Sequence, residues 1–153
     1  MSPQRPPANA RESPSTGSVD EFLAEPRNAA VIGVRRDGRP HATPNWFGWD
    51  GERFYVSTTR GRAKYAIFSR DPRVELLIDD SEGFRYIALS GTVEILADIR
   101  AHLAQFRAIR RKHGRAVPAD DEQFAADLAG EDRVLLAITP NGPRDTWQVH
   151  GLD

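Results

Sequence analysis

Two Asp-Gly pairs, Asp37-Gly38 and Asp50-Gly51, separate three short runs of β-forming residues in the first half of the chain. Asp-Gly between such runs is a strong sequence signal for a tight hairpin. The runs cover residues 29–34, 41–49 and 53–58. Strands that follow one another through tight turns pair in opposite directions, so this pattern predicts an antiparallel sheet rather than a parallel one.

The remaining sequence adds further strands and short helices to this sheet. Strand patterns recur over residues 74–78, 86–96, 134–139 and 146–150, and helical patterns over residues 18–25, 61–69, 98–113 and 119–129. About seven antiparallel strands do not suit a doubly wound sheet, but they close into a small barrel, which removes exposed edges. We therefore predict a mainly β fold, an antiparallel β-barrel of meander or Greek-key order with inserted helices.

The first residues differ in composition from the rest of the chain. Residues 1–17 hold four prolines, at positions 3, 6, 7 and 14, and almost nothing apolar. Such a segment buries too little surface to offset the entropy lost on ordering. We predict a flexible tail there and a single domain over residues 18–153.

Charge and composition restrict the classes of partner. The formal net charge of −1 gives no general attraction to nucleic acid or membranes, and no window approaches the roughly 20 apolar residues of a membrane span. The N-terminus lacks the apolar segment of a secretory signal, so a cytoplasmic location is expected. The chain has zero cysteines, so redox chemistry requires a bound cofactor. The four histidines show no metal-ligand spacing, and we predict no metal site.

One junction between a strand and a helix carries a concentration of polar groups. Ser57, Thr58 and Thr59 fall where the third strand ends, and Arg62 and Lys64 fall in the first turn of the next helix. A helix N-terminus favours anions, so positive side chains there indicate a bound anion that compensates them. The sequence therefore predicts a phosphate-binding site. The alternative interpretation is two solvated charges and hydroxyl groups that only cap the helix.

Aromatic residues occur on strands close to this junction. Trp46, Phe47 and Trp49 lie on the second predicted strand, and Phe84 and Tyr86 lie at the start of a later one. Such side chains enclose a flat heterocycle or, more commonly, fill the core or a subunit interface. The basic segment 100–115 is interpreted as a solvated helix face rather than an RNA-binding surface.

Three segments together resemble the pyridoxamine 5′-phosphate oxidase-like superfamily of flavin- and deazaflavin-binding split β-barrels. They are DGRPHATPNWFGWDG, YVSTTRGRAKYAIFSRDPRVELLID and FRYIALSGTVEIL, and the similarity runs over residues 29–138. The resemblance implies an FMN-binding split barrel that forms a homodimer, with two cofactor sites at the subunit interface. Dimerisation is then required for function.

The resemblance also assigns cofactor contacts to nine positions. The residues that would contact the cofactor are His41, Thr43, Ser57, Thr58, Thr59, Arg62, Lys64, Phe84 and Tyr86. Among them, Arg62 and Lys64 would hold the phosphate. The three consecutive hydroxyl residues and the two residues of the second strand would line the isoalloxazine or deazaflavin ring, and the aromatic pair would complete the pocket.

The function implied by the resemblance is that of an oxidoreductase. It would transfer a hydride between coenzyme F420 or FMN and a small organic acceptor, and because the cofactor performs this chemistry no catalytic acid or base is assigned. Pyridoxamine 5′-phosphate oxidase activity itself is not expected, since that enzyme is longer and has a C-terminal segment with substrate-binding Arg and His residues. The alternative is a non-catalytic carrier of a flavin, a deazaflavin or a haem-like ligand. Arg35, Arg36, Arg39 and Arg60 are candidates to bind the polyglutamate tail of F420.

Overall fold

The computed structural model describes residues 16–152 of the 153-residue chain. Most of the predicted N-terminal tail, residues 1–15, lies outside the described residues. The first helix, expected over residues 18–25, is present as α1 (Thr16–Ala24). None of the helices within residues 16–152 is long and apolar enough to cross a membrane.

Within the described residues the chain forms eight strands and, with α1, four α-helices. The strands are β1 (Asn28–Val34), β2 (Pro40–Trp46), β3 (Gly48–Trp49), β4 (Phe54–Thr59), β5 (Arg73–Asp79), β6 (Tyr86–Leu96), β7 (Arg133–Pro140) and β8 (Gln148–His150). The other helices are α2 (Ala63–Arg70), α3 (Leu103–Lys112) and α4 (Asp121–Gly130). The pairs among these strands are antiparallel, in the order β2-β1-β5-β6-β7-β4-β3 with β8 beside β6. The mainly β antiparallel fold expected from the sequence is confirmed.

The predicted second strand, residues 41–49, is divided at Phe47. β2 ends at Trp46 and β3 begins at Gly48, yet these two strands form opposite edges of the sheet. The side chain of Phe47 is fully buried. Because one residue connects the two edges, the sheet curls until they lie close together. β2 lies near β4 without pairing with it, which leaves an opening that we call the seam.

The buried core lies inside this curled sheet. Alternate residues of β1 and β5, such as Ala29, Val31, Leu76 and Ile78, are almost fully buried, as the two-residue period of a strand requires. β7 is buried on both faces, because its outer face packs under α3 and α4. The continuous run of apolar residues in β7 follows from this double covering.

Helix α2 packs closely on β1 because residue 33 is glycine. A Cβ atom added at Gly33 would lie 2.8 Å from Ile67 Cγ2 and 3.0 Å from the ring of Phe68, both in α2. Those two side chains are buried and hold α2 against the barrel. The same packing fixes the position of Lys64 in the first turn of the helix.

The outer face of β1, β2, β5 and β6 is less covered than the inner face. Strand register places on this face, next to Glu75 and Asp79 of β5, a set of apolar side chains. They are Ala30, Ile32, Ala42, Pro44, Leu77, Tyr86 and Ala88, which we call the outer apolar face. Leu77 is 38% exposed, a high value for a large aliphatic side chain in the middle of a strand.

Candidate functional site

The end of β4, the following turn and the start of α2 form the junction that the sequence indicates. The Arg62 N–H donates a hydrogen bond to the Thr59 carbonyl at 3.1 Å, which closes the turn. Arg62 is the N-cap residue of α2, has extended backbone angles and makes no side-chain capping bond. Its side chain is exposed. The helix therefore begins without the side-chain acceptor that N-cap residues usually provide.

Lys64 is a buried cation without a carboxylate partner. It is 5% exposed, and its Nζ donates a hydrogen bond to Thr43 Oγ1 at 3.1 Å. No Asp or Glu among residues 16–152 lies within ion-pair distance of it. Burial lowers the pKa of Lys64, and the positive charge of Arg62 lowers it further. An anion beside Lys64 would offset the free-energy cost of burying this unpaired positive charge.

Three side chains of β2 share the inner face next to Lys64. His41, Thr43 and Asn45 alternate with exposed residues along the strand. The Asn45 amide donates to Thr43 Oγ1 at 3.0 Å and so fixes the hydroxyl that also accepts from Lys64. Burial lowers the pKa of His41, and the charges of Arg35 and Lys64 lower it further. This lowered pKa favours the neutral form of the imidazole.

A cleft of about 240 Å³ lies at the seam, between β2, β4 and α3. Asn45, Trp46 and Ser57 line it together with four arginines. The arginines are Arg62, Arg110, Arg115 and Arg133. We call this space the arginine cleft.

The charge of the arginine cleft is only partly compensated by the protein. Glu131 accepts hydrogen bonds from Arg133 at 2.8 Å and from Arg110 at 3.3 Å. Arg62 and Arg115 have no carboxylate within 4.0 Å among the residues that the structure describes. Glu131 thus pairs with two of the four guanidinium groups, and the charge left over would attract a ligand with more than one negative charge.

The three consecutive hydroxyl residues do not share one surface. The alternation of β4 puts Ser57 and Thr59 on one face and Thr58 on the other. Ser57 lines the arginine cleft and accepts a hydrogen bond from Arg133 Nη1 at 3.4 Å. Thr58 is 1% exposed, and its hydroxyl has no hydrogen-bond partner among the described residues.

Phe84 and Tyr86 lie away from this group within one chain. Phe84 is 69% exposed, in the turn before β6. The Tyr86 ring stacks on His150 at a centroid distance of 5.2 Å, and its hydroxyl accepts a hydrogen bond from Gln148. None of the contacts among residues 16–152 joins either aromatic residue to Lys64 or to the arginine cleft.

Sequence reasoning missed Arg110, Arg115 and Arg133 as site residues. The sequence predicts a solvated helix face for segment 100–115, but the turn of α3 that carries Phe106 and Ile109 packs toward the seam and brings Arg110 with it. Arg133 lies opposite Thr59 in the register of β4 and β7. The helical period alone places Arg110 beside the apolar stripe, so the sequence does contain a signal for this residue.

Trp46 forms an aromatic wall of the cleft, held by a histidine at the C-terminal end of α3. Its ring stacks on His113 with a centroid distance of 4.6 Å and an interplanar angle of 8°. Trp46 remains 40% exposed, so part of its surface is open to a ligand. Burial lowers the pKa of His113, with a smaller contribution from Lys112, which keeps the stacked imidazole neutral.

Comparison with known proteins identifies relatives of the same architecture. Residues 15–146 match the family model described as pyridoxamine 5′-phosphate oxidase. An F420 reductase is 26% identical with a TM-score of 0.65, over 84% of this chain and 94% of that one. A conserved hypothetical protein from Mycobacterium tuberculosis is 19% identical with a TM-score of 0.76, over 92% of this chain and 87% of that one.

A haem storage protein, HutZ from Vibrio cholerae, is 14% identical with a TM-score of 0.67, over 92% of this chain and 97% of that one. At 14% and 19% identity, the Vibrio and Mycobacterium structures support the shared fold alone. The family match covers most of the chain, and the curled antiparallel sheet with its open seam agrees with it. The chain belongs to the pyridoxamine 5′-phosphate oxidase family of split β-barrels.

Proposed function

We propose that this protein binds a phosphorylated flavin or deazaflavin, FMN or coenzyme F420, and uses it as an oxidoreductase acting on a small organic acceptor. The observation that carries the proposal is Lys64, a cation that is only 5% exposed beside the Thr43 hydroxyl and lacks a carboxylate partner among the described residues. A buried, unpaired ammonium group is costly. A ligand phosphate is the type of group that compensates this cost.

The residues around the seam fit the parts of such a cofactor. Lys64 and Arg62 would hold the phosphate, and the free N–H groups at the start of α2 would add to this attraction. His41 and Thr43 on β2 would line the ring, together with Ser57, the hydroxyl residue of β4 that lines the arginine cleft. Trp46 offers the exposed aromatic surface for stacking.

Bound FMN or F420 supplies the hydride-transfer chemistry, and the protein supplies position and electrostatics. The described lining of the arginine cleft includes no carboxylate side chain, so no general acid or base is assigned there. Its arginines would orient the anionic end of the cofactor. The neutral imidazole of His41 would contact the ring without adding charge.

We favour F420 over FMN because of the charge in the arginine cleft. FMN carries one phosphate group, whereas F420 adds a tail of glutamate carboxylates. Four guanidinium groups with one internal carboxylate suit the larger negative charge. The 26% identity to an F420 reductase supports the same choice.

The protein is proposed to act as a homodimer. The outer apolar face offers a sheet surface for a second copy, and Tyr86 lies on it. Phe84 and Tyr86 are remote from Lys64 within one chain, so they would complete the pocket of the partner subunit rather than their own. This arrangement gives both aromatic residues the role that the resemblance implies.

A second candidate is a non-catalytic carrier of a haem-like ligand. Two features favour it: the lowered pKa of His41 favours the neutral imidazole that a metal ligand requires, and the fold is shared with a haem storage protein. The arginine cleft would then bind the propionate groups. Enzyme and carrier differ in turnover, which is directly measurable.

One experiment tests cofactor class and activity together. The purified protein is titrated with FMN, F420 and haem side by side, and ring fluorescence or absorbance is followed. We expect binding of F420 that is tighter than that of FMN, and faster reoxidation of the reduced cofactor when an enone or quinone is added. Binding without acceleration by any acceptor supports the carrier, and the absence of binding by all three ligands contradicts both functions.

A further inference from the structure

A second cavity, of about 570 Å³, lies on the other side of α3 from the arginine cleft. Ala108, Arg111 and Lys112 of α3 line it, whereas Phe106, Ile109 and Arg110 line the cleft. Residues of α1 and β3 form the opposite wall. We call this space the α1–α3 cavity. The helix separates it from the proposed cofactor site.

The walls of the α1–α3 cavity are largely apolar. Ala24, Trp49 and Ala108 contribute hydrophobic surface, and the fully buried Leu23 borders the cavity. The Trp49 ring packs on Phe54 at a centroid distance of 4.3 Å and meets Trp147 edge-on at 5.6 Å, so its orientation is fixed. Its buried indole N–H has no hydrogen-bond partner among the described residues. A rigid aromatic wall of this type suits the body of an aromatic or branched aliphatic molecule.

The charged groups around this cavity are mostly positive. Arg111, Lys112 and Arg144 line it, and Asp20 is the carboxylate among its described lining residues. Asp20 is already engaged, because it forms an ion pair with Arg144. Arg111 is exposed and has no carboxylate within 4.0 Å among residues 16–152. The charges of Arg111 and Lys112 are thus left for an external anion.

Lys112 is held in the cavity wall by backbone groups. Its Nζ donates hydrogen bonds to the carbonyls of Leu23 at 2.5 Å and Phe47 at 3.2 Å, and it lies 3.6 Å from the centroid of the Phe47 ring. These partners are neutral, so they leave the charge of the ammonium group uncompensated. Burial lowers the pKa of Lys112 to about 8, with a smaller contribution from Arg27. An anion in the cavity would favour the charged form.

We propose that the α1–α3 cavity is a second binding site, which takes a small apolar carboxylate. The apolar body would lie against Ala24, Trp49 and Ala108, and the carboxylate would bind Arg111 and Lys112. Large apolar walls with a few convergent charged groups are the general form of a small-molecule site. This site does not depend on the cofactor proposal, because its lining residues are different.

Calorimetric titration of the full chain with 2-naphthoate tests the proposal. 2-Naphthalenemethanol has the same ring without the charge and serves as the matched ligand. We expect one naphthoate bound per chain, with an affinity at least about tenfold higher than that of the alcohol, because charge-assisted hydrogen bonds are the stronger kind. Equal affinities of acid and alcohol, or no binding of naphthoate, would overturn the proposal.

Three variants locate the site. Ala108→Phe fills the cavity from an exposed helix position and should abolish naphthoate binding. Arg111→Gln should weaken the acid about tenfold and leave the alcohol unchanged. Arg39→Gln, an exposed arginine in the β1–β2 turn, removes the same charge elsewhere and should change neither ligand.

A fourth variant, Arg62→Gln, compared with Ala108→Phe, distinguishes the α1–α3 cavity from the arginine cleft as the binding position. Each is checked for an unchanged melting temperature before titration, and Ala108→Phe should also keep its affinity for F420 or FMN. If naphthoate binding survives Ala108→Phe but is lost in Arg62→Gln, the acid binds the arginine cleft and the proposal is wrong. Failure of the cofactor to bind would not affect this result, because naphthoate is measured in its absence.

Discussion

Lys64 Nζ and Thr43 Oγ1 lie 3.1 Å apart and join the first turn of α2 to the edge strand β2. This hydrogen bond links the two sides of the proposed phosphate site directly. It satisfies one of the three ammonium protons, since an ammonium group has three donors. The remaining donors and the positive charge are therefore left for a ligand.

Lys64→Met should separate stability from binding. Without ligand, the variant should be more stable by on the order of 1 kcal/mol, because a buried charge is replaced by an apolar side chain of similar length. Its affinity for the cofactor should fall by about 1.5–3 kcal/mol, the value of a charge-assisted hydrogen bond. Urea unfolding and cofactor titration measure the two effects. Glu52→Gln, on an exposed turn, is the control, and unchanged cofactor affinity in Lys64→Met would contradict the assignment.

Cofactor affinity should decrease as the pH rises toward the alkaline range. The pKa of Lys64 is lowered in the free protein, so its proton is lost at a lower pH than that of an ordinary lysine. A bound phosphate favours the charged form and raises the pKa, so binding takes up a proton in this range. Titrations from about pH 7 to about pH 10 follow the effect. The dependence should be weaker in Lys64→Met, and identical pH profiles would count against Lys64.

Arg115→Gln should distinguish two routes for the F420 tail. The sequence indicates Arg35, Arg36, Arg39 and Arg60, of which the first three lie in the exposed β1–β2 turn, whereas the structure offers the arginine cleft. If the tail lies in the cleft, Arg115→Gln weakens F420 by about tenfold and FMN by less, while Arg39→Gln changes neither. The reverse result, measured by the same fluorescence titration, would place the tail along the turn.

Gly33→Ala should displace α2 and reduce both stability and binding. The added Cβ would meet Ile67 Cγ2 at 2.8 Å and the Phe68 ring at 3.0 Å. Overpacking of this kind typically costs about 1–3 kcal/mol. Because α2 carries Lys64, cofactor affinity should also fall. Gly130→Ala, at a helical position with open space around it, is the matched control and should leave both quantities unchanged or improve stability.

Leu77→Glu should prevent formation of the proposed homodimer. Leu77 is 38% exposed at the centre of the outer apolar face, so a carboxylate is tolerated in the free chain but not at an apolar interface. Sedimentation velocity should give a dimer for the natural sequence and a monomer for the variant. Glu52→Gln, on an exposed turn, should remain dimeric. A monomeric natural protein would contradict the dimer proposal itself.

Local signals in the sequence predict the elements of the fold well. The strand over residues 86–96 has the same bounds in the structure, and Gly38 and Gly51 adopt the positive φ of 87° and 98° that their turns require. The division of residues 41–49 is not predicted, because the run Trp46-Phe47-Gly48-Trp49 continues a strand-like pattern. Only the closure of the whole sheet requires Phe47 to pass from one edge to the other.

The candidate site is predicted in part for similar reasons. Proximity along the chain indicates Arg62 and Lys64, and the structure places both at the start of α2. The two-residue period of β4 already implies that Thr58 faces away from Ser57 and Thr59, although the sequence interpretation groups all three. Arg115 and Arg133 belong to distant segments, and only tertiary packing brings them to the seam.

The two prolines of β2 protect the open edge of the sheet from other chains. Pro40 and Pro44 lie opposite Val34 and Ala30 of β1, and neither proline has a backbone N–H. In an antiparallel ladder alternate residues direct their N–H groups outward, so both prolines take positions whose donors would face the unpaired side. An incoming strand would find no donor for its carbonyl groups at either position. The barrel thus keeps an entrance for a small ligand that resists fibril-type strand addition.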